Sequence, residues 1–150
     1  VPASKQVGQM QTLLENLYKQ ETTFGETDFS ALCVHLGKHV NKRSFLMLYT
    51  NFSNMTSLNR QLVYLQQLAR QHRVLVVFFE DADLKEYIAG KPETTEGYYQ
   101  HVIAEKFAFE KRLIVSTLKQ HGIYSLLTTP DKLSIDVINK YLEMKSRQLL

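Results

Sequence analysis

Three carboxylates crowd the end of one apolar run. In "RVLVVFFEDADL" the stretch from Arg73 to Phe79 gives way at once to Glu80, Asp81 and Asp83. Hard cations take clustered oxygens, and Mg²⁺ commonly uses one or two carboxylates with waters. A second apolar run, Ser44 to Tyr49 within "RSFLMLYTNFSNMTSLNRQL", stops at Thr50 and Asn51 and adds a hydroxyl and an amide. Side by side, the two run ends would suit a Mg²⁺-dependent enzyme acting on a phosphorylated substrate. A plainer reading competes: Asp81 or Asp83 caps the helix that follows, and the other groups are solvated.

His35 and His39 lie four residues apart on a helical stretch, a spacing that can hold Zn²⁺. No Glu follows His35, so the H-E-x-x-H form is absent. At about 100° per residue the two histidines fall on one flank of the apolar face and Cys33 on the other. The three therefore do not share an ion, and the histidines read as flank or interface residues. Cys33, mid-helix on an apolar side, reads as buried and inert. The six glycines are scattered; neither a dinucleotide fingerprint nor a phosphate loop occurs, and there is no nucleophile elbow. Tyr98, Tyr99, Phe107 and Phe109 read as helix packing.

The elements that must position these residues follow from periodicity. Residues 8 to 20 carry Met10, Leu13, Leu14 and Leu17 at helical spacing. A second helix opens with Thr27 or Asp28 as its cap and places Phe29, Leu32, Leu36 and Val40 on one face. "SFLMLYT" is too short for a core helix and reads as a strand buried on both sides. A helix from about Ser57 to Gln71 turns Leu58, Leu62, Leu65 and Leu68 inward. "RVLVVFF" is the clearest strand, β-branched and aromatic throughout. A short helix near Leu84 to Ala89 and a loop with Gly90 and Pro92 lead to a long helix, Glu96 to His121, stopped by Gly122. "IYSLL" reads as a third strand. Thr129, Pro130 and Asp131 open a last helix as cap, first turn and dipole partner. Three short strands separated by helices imply an α/β fold with a parallel sheet, a small one for five or six helices. Its carboxyl ends, at Thr50-Asn51, Glu80-Asp81 and Thr128-Thr129, are where ligands bind in such folds.

The chain has 150 residues, 44% hydrophobic and 22% charged, with net charge +3. That is the balance of one ordinary soluble domain. Acidic and basic residues are interleaved, without the basic, aromatic-studded stripe of a nucleic-acid binder; the nearest candidate, Lys140 to Arg147, is the polar side of the last helix. A single cysteine and the lack of a signal-peptide pattern point to a cytoplasmic setting. The two N-x-[ST] matches, at Asn51 and Asn54, read as chance matches in a polar loop. The chain opens Val1-Pro2 without an initiator Met and reads as a piece of a longer protein.

Three stretches, read together, carry a resemblance. They are "TTFGETDFSALCVHLGKHVNKRSFLMLYTNF", "RQHRVLVVFFEDADL" and "VINKYLEMKSRQLL". In order and spacing they resemble the C-terminal part of the bacterial family called domain of unknown function fifty-eight, which adopts a von Willebrand factor A-like fold. The resemblance is collinear over nearly the whole chain. It implies a three-layer sheet truncated to about three strands, its earlier strands lying before Val1. It also implies a metal site built from three loops. The first, Asp-x-Ser-x-Ser, is not found here. The second gives a Thr, matched by Thr27 or by Asp28. The third gives the Asp of a Thr-Asp pair, and Asn51 stands there. A neutral amide in place of a carboxylate, with the first loop missing, implies no tight metal and no cofactor in this chain, Mg²⁺ being held only weakly or in the full-length protein.

Relatives of this kind are often encoded beside MoxR-type AAA ATPases and are thought to act with them as adaptors for client proteins. The resemblance thus implies a non-enzymatic adaptor with protein partners and no nucleic acid. Thr27, Asp28, Thr50, Asn51, Glu80, Asp81 and Asp83 would form a degenerate interaction site. The competing expectations are the Mg²⁺-dependent enzyme above and a plain oligomerisation scaffold. If "SFLMLYT" lacks a neighbour, its edge would recruit a second chain, so self-association through residues 44–50 is expected as well.

Overall fold

From Val74 to Phe79 no charge interrupts the chain, and a stretch so uniformly apolar must be covered on both faces. It forms the central strand. The computed structural model describes residues 7–21, 27–52, 54–92 and 94–149. Among them are three strands, β1 (Phe45–Tyr49), β2 (Arg73–Phe79) and β3 (Tyr124–Thr128). They form one parallel sheet in the order β1-β2-β3, with Leu48 beside Val76 and Phe78 beside Leu127. Six helices accompany them: α1 (Gln9–Tyr18), α2 (Phe29–His39), α3 (Met55–Gln71), α4 (Ala82–Ala89), α5 (Thr95–Gln120) and α6 (Leu133–Ser146). The layout is Rossmann-like.

Alternation along β2 divides the core. Val74, Val76 and Phe78 point to the face where Leu58, Leu65 and Leu68 of α3 meet Ile114 and Leu118 of α5. Leu75 and Val77 point to the other face, against Val137 of α6. Parallel crossovers made repeatedly in one direction put their helices on one face. α3 and α5 therefore share a side, and α6, which follows the last strand, closes the other.

Local signals set most of the boundaries. Asp28, rather than Thr27, caps α2, its carboxylate accepting from Ala31 N at 2.9 Å. Asn54 caps α3 and Thr94 caps α5. Gly122, at φ 71°, ends α5: its N–H donates to Lys119 O and that of Ile123 to Leu118 O, both at 3.0 Å. The expected start of α6 at Thr129 is corrected. Residues 130–132 form a turn, and the helix begins at Leu133 without a side-chain cap.

Two further expectations are overturned. β1 is not buried on both sides: Met47 and Tyr49 share the face of Leu75 and Val77, yet Tyr49 is 57% exposed. α6 packs on β3, two strands away, and meets β1 at Phe45, whose ring centroid lies 5.9 Å from that of Tyr141. Nor do Tyr98, Tyr99, Phe107 and Phe109 pack into the core, since all four are exposed. α5, at 26 residues, is about 39 Å long, while a seven-residue strand spans about 23 Å, so much of the helix has no sheet beneath it. Among the described residues α1 contacts no other element, and its Met10, Leu14 and Leu17 are exposed.

Candidate functional site at the carboxyl end of the sheet

The parallel register brings the expected residues to one end of the molecule. Thr50 N donates to Val77 O and Glu80 N to Thr128 O, both at 3.0 Å, so the three strand ends lie side by side. Phe29 stacks on Phe52 with ring centroids 6.1 Å apart, which sets the start of α2, with Asp28, beside the end of β1. Thr27 is exposed just before it. Residues from Asp28 to Thr128 thus share one end of the molecule.

Their side chains, however, are engaged separately. The Asp81 carboxylate turns back to cap α4, accepting from Asp83 N at 3.0 Å and Leu84 N at 3.2 Å. Glu80 pairs with Lys85 at 3.1 Å. Asp83 is exposed in the first turn of α4, where its charge complements the helix dipole. Asp28 is committed to its own cap. The capping reading of the acidic cluster therefore describes Asp81. Among the described residues no group of three His, Cys, Asp or Glu side chains is placed to hold a metal ion.

The residue that periodicity did not single out is Lys111. Its ammonium donates to Asn51 Oδ1 and, at 2.9 Å, to Phe52 O. It also lies 5.7 Å from the centroid of the Phe78 ring. Burial pushes its pKa below the ordinary lysine value of 10.5. A signal for it exists in the sequence: counting from Ala104 in steps of four and three along α5 passes through Lys111 before reaching Ile114 and Leu118, all on the inward side. A lysine in an inward stripe must find oxygens, and here it finds an amide and a backbone carbonyl at the end of β1.

A divalent ion does not fit these residues. The amide at position 51 has no charge to offer, and a cation, the Lys111 ammonium, already holds its oxygen. Beside Lys111 a cleft of about 740 Å³ opens between α4 and α5, its lining mixing apolar side chains such as Leu84, Ile88 and Phe109 with charged ones such as Lys85, Glu105 and Arg112. On the opposite face the Thr128 hydroxyl donates to Asp136 at 2.5 Å, tying α6 to the strand end.

The remaining candidates disperse. His35 and His39 stack with centroids 4.3 Å apart, and His39 Nδ1 lies 2.9 Å from His35 O. Cys33 is on the other flank, its thiol donating to Tyr64 O at 3.5 Å and pushed up in pKa by burial. Lys140 and Arg147 both pair with Glu143, at 2.9 and 3.2 Å, and the Lys140 ammonium holds that carboxyl below its ordinary range. Glu143 thus offsets one of the three basic residues Lys140, Lys145 and Arg147.

Fold and site together define a Rossmann-like α/β domain whose strand ends carry a polar edge held by Lys111, beside a cleft lined by both apolar and charged side chains. Comparison with protein-family models, curated proteins and solved structures finds no match to this chain.

Proposed function

We propose that this chain is a non-enzymatic interaction module, an adaptor of von Willebrand A-like type that works in the cytoplasm with a MoxR-type AAA ATPase and a client protein. One observation supports it above the rest: large apolar side chains stand exposed along α5, at Tyr99, Val102, Phe109 and Leu113, and on the open side of β1, at Met47 and Tyr49. Contiguous apolar surface on a folded domain marks a place where another protein sits. The ATPase partner comes from the resemblance of the sequence. The strand-end residues contribute as a rigid frame, with Lys111 joining α5 to the end of β1 beside the cleft.

Within this reading β1 recruits a second chain through its outer edge. Alternate residues of an edge strand bond inward. Ser44 O accepts from Arg73 N at 2.9 Å and Thr50 N donates to Val77 O at 3.0 Å. Phe45, Met47 and Tyr49 therefore turn their backbone groups outward. Residues 44–50 contain neither charge nor proline to blunt that edge.

The adaptor reading is tested by mixing the purified chain with a purified MoxR-type ATPase and measuring binding by calorimetry with and without a non-hydrolysable ATP analogue. Nucleotide-dependent binding is expected. Absence of binding in both conditions would overturn the reading.

A further inference from the structure

The outer side of α5 carries a second pattern. Tyr99, Val102, Phe109 and Leu113, each between 39% and 72% exposed, fall with Lys106 at alternating spacings of three and four. At about 100° per residue they occupy one stripe about 80° wide, on the side opposite the buried Ala104, Ile114 and Leu118. Alternating threes and fours sustained over four turns are the seam of a helix that packs against another helix. The elements α5 contacts, α3, α4 and β3, leave these side chains partly exposed, with Val102, Lys106 and Phe109 on the rim of the cleft toward α4.

We propose that a second copy of this chain covers the seam, the two α5 helices lying antiparallel across a two-fold axis. The inference rests on the reading of the chain as an interaction module and names one of its partners. Charge decides both the occupant and the direction. Glu105 and Arg112 flank the same side of the seam, one heptad apart. In antiparallel packing Val102 faces Leu113 of the second copy, Lys106 faces Phe109, and Glu105 meets Arg112 twice, once on each side of the axis. Parallel packing would set Glu105 against Glu110 of the second copy, and an antiparallel register one heptad away would set Glu105 against itself. Like charges so placed are costly. The seam therefore complements itself in one register.

Glu105 and Arg112 both line the cleft on the α4 side of the seam, and among the described residues neither is held by a strong partner within the chain. Glu105 lies 3.5 Å from His101, and among the described residues Arg112 engages only its Nε, with Ala108 O at 3.4 Å. Lys106 extends its aliphatic stem over the facing phenyl ring and keeps its ammonium in water. A polar residue at such a position sets register and limits the assembly to two helices.

The test is sedimentation velocity on the full 150-residue chain over a range of concentrations, in the native background and with Met47→Lys to silence the β1 edge. A reversible dimer is expected in the Met47→Lys background. Phe109→Glu should weaken it about tenfold or more, as should Glu105→Arg or Arg112→Glu alone, while the double reversal Glu105→Arg/Arg112→Glu restores it. These positions are exposed, so the melting temperatures of the variants should match that of the parent. A monomer at every concentration, or a dimer indifferent to the single charge reversals, would overturn the proposal. ATPase binding measured on the same variants separates the two claims. Binding without a dimer sinks the seam alone; a charge-sensitive dimer without binding sinks the adaptor reading alone.

Discussion

Lys111 shows how one side chain can settle a site. Its position on the inward side of α5 takes it out of bulk water, a cost that two oxygen acceptors offset. Lys111→Ala leaves the carbonyl of the buried Phe52 without its donor, and a loss of about 1–3 kcal/mol is expected from urea unfolding. The pH dependence has a definite sign. Burial sets the folded-state pKa below 10.5, so between that value and 10.5 the unfolded chain binds more protons. The burial penalty is present in full below the folded value and is relieved as pH rises through it. Stability relative to Lys111→Met should therefore climb as pH approaches 10.5 in unfolding curves taken from neutral pH upward. A difference that stays flat would mean the ammonium is as well solvated folded as unfolded.

At the scale of elements, the acidic cluster was legible as a pair of alternatives, and geometry chose between them. "EDADL" follows a strand and precedes a helix, which suits a cation site and a cap equally. The α4 backbone decides, because two of its N–H groups point at the Asp81 carboxylate. Asp81→Ala should cost about 0.5–2 kcal/mol, while Asp81→Asn, which keeps the accepting oxygen, should cost only a few tenths. Equal losses for the two variants would show that the charge, and not the cap, matters. The start of α6 was misplaced for a related reason. Thr129, Pro130 and Asp131 each favour a helix start, but Lys132 N donates to Thr129 O at 3.1 Å, so a separate turn forms first. The aromatics of α5 stand exposed against the packing expected of them, because periodicity shows that a face is apolar without showing what lies opposite.

On the scale of the whole molecule, stability is unevenly spread. β2 is covered on both faces, and Val74 to Phe78 are buried. α1 has no buried residue and touches no other element among those described. Amide exchange should accordingly be slowest in β2 and should approach unprotected rates along α1, as followed by mass spectrometry. Protection of α1 comparable to α3 would mean that it docks on a surface, with its own apolar stripe as the contact. The β1 edge makes a further prediction at this scale. Met47→Lys should change the unfolding free energy by less than about 0.5 kcal/mol, because the side chain is partly in water, yet reduce association in sedimentation. Unaltered association would place self-assembly elsewhere.

The sequence by itself determined the elements and their order. Apolar runs of five to seven residues cannot cover themselves as helices, and stripes at three-four spacing cannot lie flat in a sheet, so α/β with parallel strands followed from pattern alone. It also placed Thr50, Asn51, Glu80 and Asp81 at strand ends, because a run of apolar residues must stop where the sheet meets water. Tertiary structure alone decided which of those groups meet and what they hold. The bond from Lys111 to Asn51 joins residues sixty positions apart, and a contact at that separation is set by how α5 lies on the sheet, which no local spacing encodes. The same holds for exposure. Tyr49 and Val77 are neighbours on one face, yet one is in solvent and the other buried, because the helix that closes that face sits over the far strand.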